Sequence, residues 1–362
     1  MSDDGFEQRL DDLRREAERH GSVAGEGARI HGGPLPARRP PAGADTGSDA
    51  GSDAGAGTVG YYGLPALKPP VWTWEVPLYF FAGGLAGMSA VVALAALAFA
   101  GDFALVRAAL LVAALAGGVV SPVLLTLDLG RPARFLNMLR VLKLRSPMSV
   151  GAFVLTGFGA CAVPAAVCAV WYAVADAAQA LVLTWVFTVP AAVLGTLLAT
   201  YTGVLLGATA VPAWLTHRRI LPLHFGVAGL GSAAATLELL AFDHAGLRAI
   251  GLAAAAGETC VGVIVELHRR GAADRVLRRG TSNVLLRAAG LLSGPTALLL
   301  RILGLHVPAA IAFLLGALVS RYGWLAAGRR SARDPAAAFA VARPGDGDAS
   351  ASATRGRASS GP

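Results

Sequence analysis

Two tyrosines and a set of carboxylates stand at or within long apolar runs of this chain. Side chains of these types suit one kind of chemistry, the exchange of hydrogen bonds and protons with a carbonyl-bearing ring dissolved in a membrane. Tyr79 lies about one turn inside the first run, in Trp72-Thr73-Trp74-Glu75-Val76-Pro77-Leu78-Tyr79-Phe80-Phe81. Tyr201 stands near the end of another run, in Ala199-Thr200-Tyr201-Thr202-Gly203. Each has a structural alternative: Tyr79 as an interfacial aromatic, and Tyr201 as a buried phenol satisfied by Thr200 or Thr202. Asp128 ends the second run, three residues before Arg131. It can accept protons from such a ring, with Arg131 and Pro132 on the rim, or it can pair with Arg131 and fix the loop. Glu75 is the second acid near the same boundary, closer to solvent.

Deeper acids raise a further possibility. Glu238 lies in the fifth run, and Glu258 and Glu266 in the sixth at a spacing of eight, which returns to nearly the same helix face. A line of carboxylates can carry protons through a membrane. Pairing with Arg or His neighbours such as His268 accounts for Glu266 equally well.

The elements that must position these groups are membrane helices. The chain of 362 residues is 55% hydrophobic and 15% charged, with mean hydropathy +0.57, outside the range of soluble domains. About eight blocks reach the roughly 20 residues that cross a bilayer: 76–99, 106–127, 149–173, 181–207, 222–241, 246–265, 283–303 and 306–327. All are rich in Ala, Leu, Val and Gly, so helices can approach closely. Gly83-Gly84-x-x-Gly87 is read in that way, as a packing surface rather than a phosphate loop. The chain is thus expected to be an all-α integral membrane protein.

Charge then gives a topology. Loops after the second, fourth and sixth runs hold Arg131, Arg134, Arg140, Lys143 and Arg145, then Arg218 and Arg219, then Arg269, Arg270, Arg275, Arg278 and Arg279. The other loops hold mainly Asp102, Asp176, Asp243 with Arg248, and Arg301. The positive-inside rule places the basic loops and both termini in the cytoplasm. The net charge of +8 is therefore read as topology and surface potential, not nucleic-acid binding. Residues 1–60 and 328–362 are polar and rich in Gly, Ala, Pro and Asp or Ser, and are expected to be disordered tails around a 61–327 membrane domain. No apolar leader precedes the first run, so that run is expected to direct insertion.

Several chemistries are disfavoured. Cys161, Cys168 and Cys260 lie in apolar runs without close spacing, so no iron–sulfur cluster is expected on this chain, and the thiols are read as small core groups. A haem-b cytochrome anchor is the competing class, but it needs facing histidine pairs inside the membrane. His224, His268 and His306 all stand at run ends and are read as snorkelling or loop residues. A transporter is a third class, for which Pro164 and Pro190 could supply broken helices.

One stretch is more specific. An apolar run stops at Asp128-Leu129-Gly130-Arg131-Pro132, a basic segment follows, and the next run opens at Ser146-Pro147-Met148-Ser149. Together with the 72–81 string and the motif around Tyr201, it resembles the NrfD/polysulfide reductase membrane-anchor family over roughly residues 61–327. The resemblance implies two four-helix bundles and a site for menaquinone or ubiquinone in the first. It implies Tyr79 and Tyr201 at the quinone; the residue reading adds Asp128 there, with Trp74, Glu75 and Arg131 on the pocket or its rim, although the position of Glu75 varies in the family. Electrons would pass between the quinone and a four-cluster ferredoxin-like iron–sulfur subunit, then a molybdopterin catalytic subunit. That partner would dock over Arg134, Arg140, Lys143 and Arg145, whose charge suits an acidic surface. Several family members dock such partners on the outer face, whereas charge here points inward.

Overall fold

Inside a bilayer a backbone must satisfy its own N–H and C=O groups, and an Ala- and Leu-rich chain does so as helix. The computed structural model describes residues 67–70, 72–128, 139–143, 146–268, 275–278 and 280–342, and no strand occurs among them. Eight helices are long and apolar enough to span a membrane: α1 (Glu75–Ala100), α2 (Phe103–Asp128), α3 (Pro147–Ala175), α4 (Ala178–Gly207), α5 (Ile220–Leu239), α6 (Ala245–His268), α7 (Thr281–Ile302) and α8 (His306–Ala332). Local signals set their ends. Asp102 accepts from the Leu105 N–H and caps α2; Ser146 does the same for Ser149, with Pro147 opening α3.

The helices form two closed squares, α1 to α4 and α5 to α8, joined by contacts of α1 with α5 and α8 and of α4 with α5. Glycines set the closest approaches. A Cβ on Gly87 would overlap the backbone of Gly195 on α4, and one on Gly229 of α5 would sit 2.8 Å from the Gly84 carbonyl oxygen. The Gly83-Gly84-x-x-Gly87 surface is thus a helix-packing device. The core beside it is built of small side chains, with Ala86, Ala90 and Ala93 fully buried.

An aromatic seam joins the squares at one end. Trp214, fully buried on a short helix at Pro212–Thr216, stacks on Trp72 at 5.4 Å. Its indole N–H donates to the Trp324 carbonyl at 2.8 Å. The carbonyls of Trp72 and Trp74 accept from Arg329 and Tyr322 of α8.

One expected boundary shifts, and one weighed alternative is not met. Helix continues beyond residue 327: α8 runs to Ala332 and a short helix follows at Pro335–Ala342, because Ala-rich sequence there packs on the Pro212–Thr216 helix. The prolines at 164 and 190 do not break their helices. The break lies in α7, where Gly294 leaves helical geometry (φ −92°, ψ −107°) before Pro295. Residues 1–60 lie outside the described residues.

Candidate functional site

At the end of the first square that carries the aromatic seam, three helices present polar groups to one small pocket and α3 completes its wall. α1 supplies Tyr79 from its second turn, α2 supplies Asp128 from its last, and α4 supplies Tyr201 two turns before its end. Trp72, Val76, Leu124, Leu125 and Met148 wall it with apolar surface. Its volume is about 40 Å³. Tyr79 is 5% exposed, and Tyr201 fits only because Gly151 has no side chain: a Cβ there would overlap Cε1, Cζ and Oη of its ring. The Tyr201 hydroxyl donates to the Pro147 carbonyl. Thr200 and Thr202 instead donate to carbonyls of their own helix, so neither supplies the partner considered from sequence.

Asp128 accepts a hydrogen bond from the Thr73 hydroxyl at 3.2 Å, and Thr73 also contacts Glu75. The three form a polar string from the pocket to the exposed N-terminal segment of α1. Glu75 therefore sits behind Asp128 rather than on the pocket wall. Trp74 does not line the pocket and is 58% exposed, as α1 begins one residue after it. Trp72 lines the pocket instead. Arg131, Arg134 and Arg145 lie outside the described residues, while Arg140 and Lys143 are exposed in the connection leading to α3.

The three deeper carboxylates have three different surroundings. Glu238 takes a bidentate hydrogen-bonded pair from Arg301 at 2.8 and 2.9 Å, buried at the far end of the second square. Gly251 makes room for that guanidinium. Glu266 pairs with Arg287 at 2.7 Å in an exposed position, in line with the pairing to Arg or His neighbours weighed from sequence. Glu258, 2% exposed, faces His224 at 3.0 Å and accepts from Ser293 at 3.3 Å. The other ring nitrogen of His224 meets Ser320 at 2.9 Å. Arg321, buried over the Phe225 ring at 3.8 Å, donates to Ser320 and to the Phe225 carbonyl.

His224 is thus neither a snorkelling nor a loop residue, and both its ring nitrogens are engaged by Glu258 and Ser320. Sequence reasoning held the signal that would have found this pair. An intramembrane acid usually has a named partner, and His224 lies one turn into α5 at a depth α6 can reach. Among the thiols, Cys168 is buried but Cys260 is exposed on its helix, so the reading as core groups does not hold for Cys260. No group of three or more His, Cys, Asp or Glu side chains is arranged to hold a metal ion among the described residues.

These features define a multi-pass α-helical membrane protein with a polar pocket sunk into one end of its first helical square. The family model described as polysulphide reductase, NrfD, matches residues 65–248, a little over half of the 362 residues. The chain belongs to the NrfD family, whose members are membrane subunits of quinone-linked oxidoreductases that typically partner with iron–sulfur and molybdopterin subunits. The matched stretch contains every residue of the first-square pocket. No curated protein matches the chain.

Proposed function

We propose that this chain is the quinone-exchanging subunit of an oxidoreductase complex in the plasma (inner) membrane. It passes electrons between menaquinone or ubiquinone and a four-cluster ferredoxin-like iron–sulfur subunit, which serves a molybdopterin catalytic subunit. The observation that carries the reading is convergence: Tyr79, Asp128 and Tyr201, distant in sequence, line one apolar-walled pocket inside the family match.

The donor set fits a ring with two carbonyl oxygens. Two phenol hydroxyls can donate to such oxygens, and Asp128 can take a proton from a ring hydroxyl. A bound quinone supplies two-electron, two-proton chemistry; this chain's residues orient the ring, exclude water and move protons. A cavity of about 40 Å³ holds little more than a water molecule, so a wall must yield to admit a ring. Met148, 50% exposed on the pocket rim, has the unbranched, rotatable side chain for it. From Asp128 the Thr73 hydroxyl and Glu75 lead protons to the surface.

Arg140 and Lys143, with Arg134 and Arg145, form the docking patch for the iron–sulfur subunit. By the positive-inside rule that patch and both termini face the cytoplasm. In the second square Glu258 and Glu266 line one cavity and are the pair able to pass protons. Glu238, locked to Arg301, is structural.

The test is quinol turnover by the purified complex carrying Tyr79→Phe with Tyr201→Phe, and separately Asp128→Asn. Loss of about two orders of magnitude in kcat/KM for the double variant, with the complex intact, is expected. Wild-type turnover in that variant would sink the assignment.

A further inference from the structure

A second cavity is larger than the pocket just described. It lies in the second square, has a volume of about 340 Å³, and is lined by α5, α6, α7 and α8. Volumes of this size hold small-molecule ligands. At its inner end stand His224, Glu258 and Ser320, with Trp324 of α8 beside them. Its outer wall consists of Gly262 and Val263 on α6 and Leu291 and Pro295 on α7, all on exposed faces within the spans. The opening therefore points sideways into the hydrocarbon layer.

The chemistry of the inner end selects a ligand class. Glu258 is held by His224 and Ser293 through one contact to each carboxylate oxygen, which leaves lone pairs free on both. A ligand hydroxyl can donate to them. A phosphate or carboxylate head seated at the inner end would meet buried Glu258 and be repelled, while at the mouth Glu266 is already paired with Arg287. The indole of Trp324, 3% exposed, offers an aromatic wall against which a flat ring can lie. Apolar walls open to lipid accommodate a tail. The break at Gly294–Pro295 belongs to the same feature: it interrupts α7 where Ser293 reaches Glu258.

We propose that this cavity is a second binding site for a neutral hydroxylated ring lipid of the quinol class, with its ring at Glu258 and Trp324 and its tail leaving between α6 and α7. The site uses no residue of the first-square pocket, so it stands or falls independently of the function assigned there. His224 is a positioning residue: hydrogen-bonded to Ser320 on one side, it holds the Glu258 carboxylate at the inner end.

A clean blocking variant exists. Gly262 and Gly290 both line the cavity and an added Cβ at either meets nothing within 4 Å, so Gly262→Leu with Gly290→Leu should narrow the cavity from positions where the first added carbon is free of clash. The experiment photolabels the full chain in lipid nanodiscs with an azido-quinone in its reduced form and maps adducts by peptide mass spectrometry. Label is expected on α6–α7 peptides as well as on α1 and α4. The double leucine variant should lose the α6–α7 label at least about tenfold, as should Glu258→Gln, for want of one charge-assisted hydrogen bond. Tyr79→Phe with Tyr201→Phe should lower only the α1 and α4 label. The proposal is overturned if wild type takes no label on α6–α7 or if narrowing the cavity leaves that label unchanged. It is overturned equally if a phospholipid co-purifies at one equivalent and is lost from the narrowed variant.

Discussion

Adding one methyl group at Gly151 should disable the first-square pocket without touching any of its polar residues. The new Cβ would overlap Cε1, Cζ and Oη of Tyr201, whereas ordinary carbon contacts stand at about 3.5–4.0 Å. The ring must therefore retreat by roughly 1 Å or more, and its hydroxyl leaves the Pro147 carbonyl. Overpacking of this kind costs about 1–3 kcal/mol, and the lost hydrogen bond adds about 0.5–1.5 kcal/mol. A displacement of about 1 Å in a positioning group costs on the order of a hundredfold in rate. Gly151→Ala is thus expected to lower kcat for quinol oxidation by the assembled complex about a hundredfold, with a measurable fall in its thermal midpoint. Tyr201→Phe keeps the ring and loses only the hydroxyl, so it should cost about tenfold. The order of the two variants is the discriminating result. Gly151→Ala with wild-type kcat would mean that the position of Tyr201 is irrelevant to turnover, and the pocket argument would fail with it.

Two further outcomes follow from the charges. Glu238→Gln should destabilise the chain by about 3–5 kcal/mol, because it strands a buried guanidinium whose Nε already lacks a partner; replacing Arg301 by Met as well should recover much of the loss in thermal unfolding, and equal midpoints for wild type and Glu238→Gln would refute the pairing argument. Arg140→Ser with Lys143→Ser should weaken co-purification of the iron–sulfur subunit, most at low salt and less as screening grows toward physiological strength, and unchanged recovery would move the docking surface elsewhere.

The eight spans were legible because bilayer length and apolar composition leave few alternatives, and seven of them begin and end within about three residues of their expected limits. α8 outran its limit by five residues because its last turns are held by packing on the Pro212–Thr216 helix, with Ser331 accepting from the Ala213 N–H and Arg329 donating to the Trp72 carbonyl, rather than by hydropathy. The meeting of Tyr79, Asp128 and Tyr201 was likewise readable, since each lies at a span end on the same side. Tertiary choices were not. Which of Trp72 and Trp74 turns inward depends on where α1 starts, a matter of one residue. The His224–Glu258 contact needs the rotation of α5 against α6, which hydrophobic periodicity leaves open in helices that are apolar nearly all round. The break in α7 falls at a Gly-Pro step, while Pro164 and Pro190 sit in helices whose neighbours tolerate them.

The polar groups of both cavities are unevenly distributed between the two ends of the helices. Tyr79, Asp128, Gly151 and Tyr201 lie near the ends that carry the basic loops, and His224 lies one turn from that same end. Toward the opposite face the first square closes over an alanine core, and the second is plugged by the Glu238–Arg301 pair. On the proposed function the molecule would be insulated on one side and would pass protons on the other. In the function proposed here, quinone turnover would exchange its protons with a single aqueous compartment, so the first-square site alone would move no charge across the bilayer. Any contribution to the membrane voltage would have to come from where the partner subunits deliver the electrons.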